Sequence, residues 1–143
     1  MYNVAVCDDT EEERLQAAEY AGRFFEREGI EVRIDTYAAG RELLESGREY
    51  DLYLLDVLMP GENGMEAARE IRRFDSSVKI IFLTSSTEFA VESYSVGAYF
   101  YQLKPIWAES FYRLMDSVIA ECDKSSSSSL ILRCKSGITR VEL

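Results

Sequence analysis

Apolar residues along this chain fall into two rhythms. Short runs rich in β-branched or aromatic residues recur at positions 2–7, 31–37, 52–56, 79–84 and 99–103. Each is too short for a helix and is bounded by polar or glycine signals, so each predicts a strand. Between them, apolar positions repeat at helical spacing. Residues 11–28 open with three glutamates behind Thr10, which suits a cap followed by acids that complement the helix dipole. That stretch sets Leu15, Ala18, Gly22 and Phe25 on one face, and Gly29 supplies a stop. Further helices are predicted over 39–46, over 65–74 with Met65, Ala68 and Ile71 in line, and within 88–95. The clearest runs from Pro105 to about Cys122, where Trp107, Phe111, Leu114, Met115 and Val118 form a stripe expected to face a core.

Strand and helix thus alternate five times, a pattern whose economical solution is a doubly wound α/β domain: a parallel sheet with right-handed crossovers and helices on both faces. Residues 123–129 are polar and serine-rich and read as a flexible linker that closes a domain at 1–122. Residues 130–143 carry two apolar clusters around Lys135-Ser136-Gly137, which predicts a short β-hairpin opening a second domain.

Charge narrows the function. The 143 residues hold 16 Lys plus Arg against 26 Asp plus Glu, a net charge of −10 that the phosphates of nucleic acid would repel. There is no histidine, which excludes Ser-His-Asp and Cys-His catalysis and His-ligated zinc within the chain. Cys7, Cys122 and Cys134 lack metal-ligand spacing and read as reduced thiols. With no signal peptide and no apolar run long enough to span a bilayer, a cytoplasmic protein without membrane contact is expected.

Asp8, Asp9 and Asp56 all fall at predicted C-terminal ends of strands, the edge where open α/β sheets bind ligands. Clustered carboxylates repel unless a cation sits among them, and oxygen donors of this number suit Mg2+. Thr84 ends the fourth strand and Lys104 follows the fifth, adding a hydroxyl and an ammonium to the same edge. Carboxylate nucleophile, metal, hydroxyl and lysine together describe a phosphoryl-transfer site.

Four segments resemble the receiver domains of two-component response regulators: Val6-Cys7-Asp8-Asp9, Leu55-Asp56-Val57-Leu58-Met59-Pro60-Gly61 with Gly64, Phe82-Leu83-Thr84-Ser85, and Tyr101-Gln102-Leu103-Lys104-Pro105. The resemblance implies a strand order of 2-1-3-4-5 and a cis Lys104-Pro105 peptide. It makes Asp56 the acceptor of a phosphoryl group from a sensor histidine kinase. Asp8, Asp9, Asp56 and the Leu58 carbonyl would hold Mg2+, while Thr84 and Lys104 would contact the phosphoryl group. Thr84 and Tyr101 would form a switch that repacks the face of the fourth helix, fifth strand and fifth helix for homodimerisation. The stretch Phe89-Ala90-Val91-Glu92-Ser93-Tyr94-Ser95-Val96-Gly97-Ala98 is similar to receivers of LytTR-type transcriptional regulators, and 130–143 to the opening strands of their DNA-binding domain. DNA binding is then implied for the parent protein alone, through an output domain mostly missing here.

Each residue also has a plainer reading. Asp8-Asp9 and Thr84-Ser85-Ser86 suit helix caps, Lys104 a solvated turn, Tyr101 a half-buried core aromatic and Cys7 a small core residue. Among rival functions, an aspartyl-nucleophile phosphatase or phosphotransferase of the haloacid-dehalogenase kind needs an acid where Leu58 stands. A flavodoxin-like FMN site would be repelled by Asp8-Asp9. A phosphorylation-independent interaction module would not need the complete acid, threonine and lysine set. A non-enzymatic receiver fits best.

Overall fold

The computed structural model describes residues 1–127, so the predicted hairpin at 130–143 and Cys134 lie outside the described residues. Five parallel strands, β1 (Tyr2–Cys7), β2 (Val32–Tyr37), β3 (Leu52–Leu55), β4 (Lys79–Thr84) and β5 (Phe100–Leu103), form one sheet in the order β2-β1-β3-β4-β5. Helices α1 (Glu11–Glu28), α2 (Gly40–Glu45), α3 (Gly64–Phe74) and α4 (Ala108–Ser127) and a 3-10 helix, η1 (Glu92–Val96), complete the alternation.

The two-residue period of the strands divides the core into two layers. Along β1, Val4 and Val6 join the α1 and α4 side, with Ala17, Ala21, Phe24, Phe25, Phe111 and Met115. Ala5 and Cys7 face the other way, among Leu43, Met65, Ala68, Ile71 and Val96. Each fully buried large apolar side chain stabilises the fold by about 1.5–3 kcal/mol, so both layers contribute heavily.

Four expectations are corrected. The buried stripe of α1 is Ala17, Ala21, Phe24 and Phe25, whereas Leu15 is exposed; small alanines set the close approach to the sheet, and a reading weighted to bulky residues misses that phase. The fourth helix is the short η1, because the hydroxyls of Ser93 and Ser95 bond back to the Ala90 and Glu92 carbonyls, at 2.6 and 2.7 Å, in a serine-rich segment of weak helix propensity. Trp107 is 67% exposed: it precedes Ala108, its carbonyl accepts the Phe111 N–H at 2.9 Å, and it therefore stands outside the periodic stripe. Finally, α4 runs on to Ser127, through the first part of the stretch read as linker. No glycine or proline interrupts it there, and each polar residue costs only a few tenths of a kcal/mol in helix propensity.

Gly29 ends α1 in the left-handed conformation, φ 70°, as expected of a C-terminal glycine. The start of α3 is closed by a reciprocal cap that the apolar pattern does not reveal: Asn63 accepts the Glu66 N–H at 2.9 Å, and Glu66 accepts the Asn63 N–H at 2.8 Å.

Candidate phosphoryl-transfer site

Parallel register builds the site. Cys7 is level with Leu55 in the β1–β3 pair, and the Asp56 N–H donates to the Cys7 carbonyl at 2.9 Å, so Asp8 and Asp56 leave the sheet side by side. β1 is also where the chain's path across the sheet reverses, the crevice that open α/β sheets use for ligands. On the other flank, Thr84 is level with Leu103, and the Lys104 N–H donates to the Thr84 carbonyl at 2.8 Å. The Lys104-Pro105 peptide is cis.

Lys104 folds back across this edge. Its ammonium lies 2.7 Å from Asp8 Oδ2 and 3.4 Å from Asp56 Oδ2, and it also donates to Glu13 at the start of α1. Asp56 Oδ1 accepts the Leu58 N–H at 3.3 Å. Asp8 takes part in a local turn as well, since its Oδ1 accepts the Thr10 N–H at 2.9 Å and its carbonyl accepts Arg14 at 2.9 Å. The capping and site readings of Asp8 therefore describe the same residue at once. Thr10 precedes α1 without a side-chain cap bond of its own.

Asp8 and Asp56 are buried and Asp9 is exposed, and the three offer carboxylate oxygens within 4.8 Å of one another. Burial holds the Asp56 carboxyl above its ordinary range, an effect that Lys104 lessens and Asp8 reinforces. For Lys104, burial disfavours the ammonium, yet its hydrogen bonds to Asp8 and Glu13 outweigh that and raise its pKa above the ordinary value. Three carboxylates pair with Lys104 and Asp9 stands beside two of them, which leaves excess negative charge. All-oxygen donors with open positions are the set that suits Mg2+, so the residues fit that ion.

Thr84 is fully buried at the end of β4, and its Oγ1 accepts the Ser86 N–H at 3.3 Å. Tyr101 is half-buried on β5, its ring 6.0 Å from Phe82 and its hydroxyl donating to the Ser86 carbonyl. Tyr101 thus touches the same loop as Thr84. Cys7 lies behind the site, 3.7 Å from the Met59 sulfur, and burial with the nearby Asp8 pushes its thiol up to about 12, which leaves it unreactive at neutral pH.

The sequence reading missed Glu13, treated there as one of three acids on a helix dipole. The available signal was its place in the first turn of α1, because helical side chains lean toward the N-terminus and so back over the β1 end. It also gave no role to Gly64. A Cβ there would lie 2.2 Å from the Asp56 carbonyl oxygen, so only glycine lets α3 start against the residue that carries the central carboxylate.

The chain is similar in sequence and fold to known proteins. The chain is 33% identical over 112 residues to the sensory transduction protein LytT of Oceanobacillus iheyensis, covering 76% of this chain and 45% of that protein. It is 31% identical over 109 residues to the positive alginate biosynthesis regulatory protein of Pseudomonas aeruginosa, covering 75% and 43%. The chain therefore spans less than half the length of these two regulators. Among solved structures, the response regulator TrrA of Thermotoga maritima, in complex with Mg(2+)-BeF, is 30% identical with a TM-score of 0.65, covering 82% of this chain and 99% of that one. The response regulatory domain of mrkE from Klebsiella pneumoniae shares the fold at a TM-score of 0.76 and 20% identity, covering 85% and 98%. The family model for the response regulator receiver domain matches residues 4–116, a span that holds Asp8, Asp9, Asp56, Thr84 and Lys104. The chain belongs to the response regulator receiver domain family.

Proposed function

We propose that this receiver is switched by phosphorylation of Asp56. The observation that carries the reading is the buried Asp56 carboxylate, with Lys104 at one oxygen and the Leu58 N–H at the other, beside Asp8 and Asp9. With no histidine in the chain, the donor is the phosphohistidine of a partner sensor kinase. An Asp56 oxygen attacks phosphorus, the P–N bond breaks, and the imidazole nitrogen leaves with the electron pair, giving an acyl phosphate on Asp56. Mg2+ held by Asp8, Asp9, Asp56 and the Leu58 carbonyl would neutralise charge developing on the phosphoryl oxygens. Lys104 and the Thr84 hydroxyl bond those oxygens. The side chain at Leu58 is apolar where an aspartyl phosphatase needs its second acid, so the chain acts as a signal module and not as an enzyme.

In this reading Thr84 moves toward the phosphoryl group, draws the Ser86 loop with it, and Tyr101 follows because its hydroxyl is bonded to the Ser86 carbonyl. Support for a docking face at η1, β5 and α4 comes from a cleft of about 540 Å3 between the η1 segment and β5, bordered by the exposed Val91, Tyr94, Phe100 and Leu103, and from a second of about 560 Å3 between β5 and α4. That surface suits a homodimer of phosphorylated receivers. The likeness to LytT supports a transcriptional output of LytTR type. In that arrangement 1–122 is the receiver, 123–129 a connection whose first part continues α4 to Ser127, and 130–143 the start of a DNA-binding domain of the parent protein. Among the described residues no helix is long and apolar enough to cross a membrane, in keeping with a cytoplasmic regulator.

The test is exposure to acetyl phosphate with and without Mg2+, read by intact mass, with sedimentation of the beryllofluoride-bound form to detect dimers. Asp56→Asn is expected to abolish phosphate incorporation and Asp9→Ala to weaken its Mg2+ dependence. Undiminished incorporation in Asp56→Asn would refute the assignment.

A further inference from the structure

We propose that Glu13 is a positioning residue that restrains Lys104 and so slows phosphoryl transfer to Asp56, an inference that rests on the receiver reading above. A lysine ammonium has three donors and no acceptor. Here they are shared among Asp8, Glu13 and Asp56, and the contact with Asp56 is the loosest of the three, at 3.4 Å. A phosphoryl oxygen arriving on Asp56 needs one of those donors, so Lys104 must loosen a bond it already makes.

Asp8 is the less costly partner to leave, because a divalent cation shared by Asp8, Asp9 and Asp56 offsets its charge. Glu13 comes from α1, apart from that trio, and keeps its full pull on the ammonium when the metal is bound. It is therefore the anion with which the incoming phosphoryl group competes. The restraint is releasable: the Glu13 side chain is 44% exposed against 10% for Lys104, so Glu13 can turn into water while Lys104 stays in the site. Half-exposure also keeps the effect modest.

The experiment follows acetyl phosphate labelling with Mg2+ by intact mass, and beryllofluoride affinity at equilibrium, in wild type, Glu13→Gln and Glu12→Gln. Glu12 carries the same charge one residue earlier on α1 and makes no ion pair with Lys104. Glu13→Gln is expected to raise both the labelling rate and the beryllofluoride affinity roughly two- to fivefold, with Glu12→Gln at the wild-type value. In a Lys104→Met background, Glu13→Gln is expected to change the beryllofluoride affinity no further, because its effect runs through the lysine. Equal or slower labelling in Glu13→Gln, equal acceleration in Glu12→Gln, or a gain that persists without Lys104 would each overturn the role. Failure of wild type to label at Asp56 would instead remove the receiver reading itself, and this inference with it.

Discussion

Replacing Gly64 by alanine tests the link between packing and the site. A Cβ on Gly64 would fall 2.2 Å from the Asp56 carbonyl oxygen and 2.9 Å from the Val57 Cα, both backbone atoms. Reaching an ordinary contact of 3.4 Å requires the start of α3 and the end of β3 to part by about 1.2 Å. The Gly64 N–H to Val57 carbonyl bond, 2.9 Å long, ties the same two segments together and resists that parting. Overpacking by a single carbon costs about 1–3 kcal/mol where side chains can adjust, and here no side chain is available to yield, so the upper end applies. Gly64 is the first residue of α3, so alanine regains less than the about 1 kcal/mol of helix propensity that an interior position would give, leaving a net loss of about 2–3 kcal/mol. Urea unfolding followed by circular dichroism measures this. Gly22→Ala is the control, since its Cβ would meet only Ile34 Cδ1, at 3.7 Å, within α1, and a gain of about 0.5–1 kcal/mol is expected there. Because the displaced carbonyl belongs to Asp56, phosphorylation of Gly64→Ala is expected to slow by about 10- to 100-fold. Wild-type stability in Gly64→Ala would refute the close approach, and wild-type labelling in a destabilised variant would refute its bearing on the site.

Two further outcomes are expected. Without Mg2+, Asp56→Asn gains stability over wild type as pH rises: a carboxyl whose pKa is raised on folding favours the fold when protonated, and that favour is lost from the ordinary 3.8 upward through the raised folded value. Urea midpoints from pH 3 to pH 7 decide it, and a gap that is constant with pH would contradict the shift. The phosphorylated state is expected to persist, since Leu58 has no polar group to orient a water for in-line attack and the Ser86 side chain is short, its oxygen accepting the Glu88 N–H at 3.1 Å. Leu58→Asn should shorten its lifetime severalfold in a decay assay after donor removal, and an equal or longer lifetime would remove Leu58 as the limit.

The strands were the most legible part of the fold. β1 and β4 begin and end where the apolar runs do, because a run of four to six residues buried on both faces has no amphipathic ambiguity to resolve. Helices were harder wherever the deciding residue was small or polar. Ala17 and Ala21 carry the buried stripe of α1 without weighing much in a hydrophobic pattern. The serines of η1 consume carbonyls that a regular helix would use, a competition that apolar periodicity cannot register. Trp107 looks like the strongest core residue of its segment but precedes the first turn of α4.

Site legibility followed the same division between what the sheet dictates and what tertiary folding adds. Asp8, Asp56 and Lys104 could be placed from strand ends alone, because a parallel sheet delivers the residue after each strand to one edge. Glu13 reaches that edge from a helix, through a side chain whose direction depends on where α1 starts, and Gly64 through a close approach of two backbones. Neither distance is encoded in spacing along the chain. Both residues act on a carboxylate or lysine that the strands already supply, so the strand ends determine which chemistry is possible. In the proposed mechanism the helix starts adjust how freely Lys104 and Asp56 meet, and substitutions at α1 and α3 are expected to alter labelling rates while leaving Asp56 as the labelled residue.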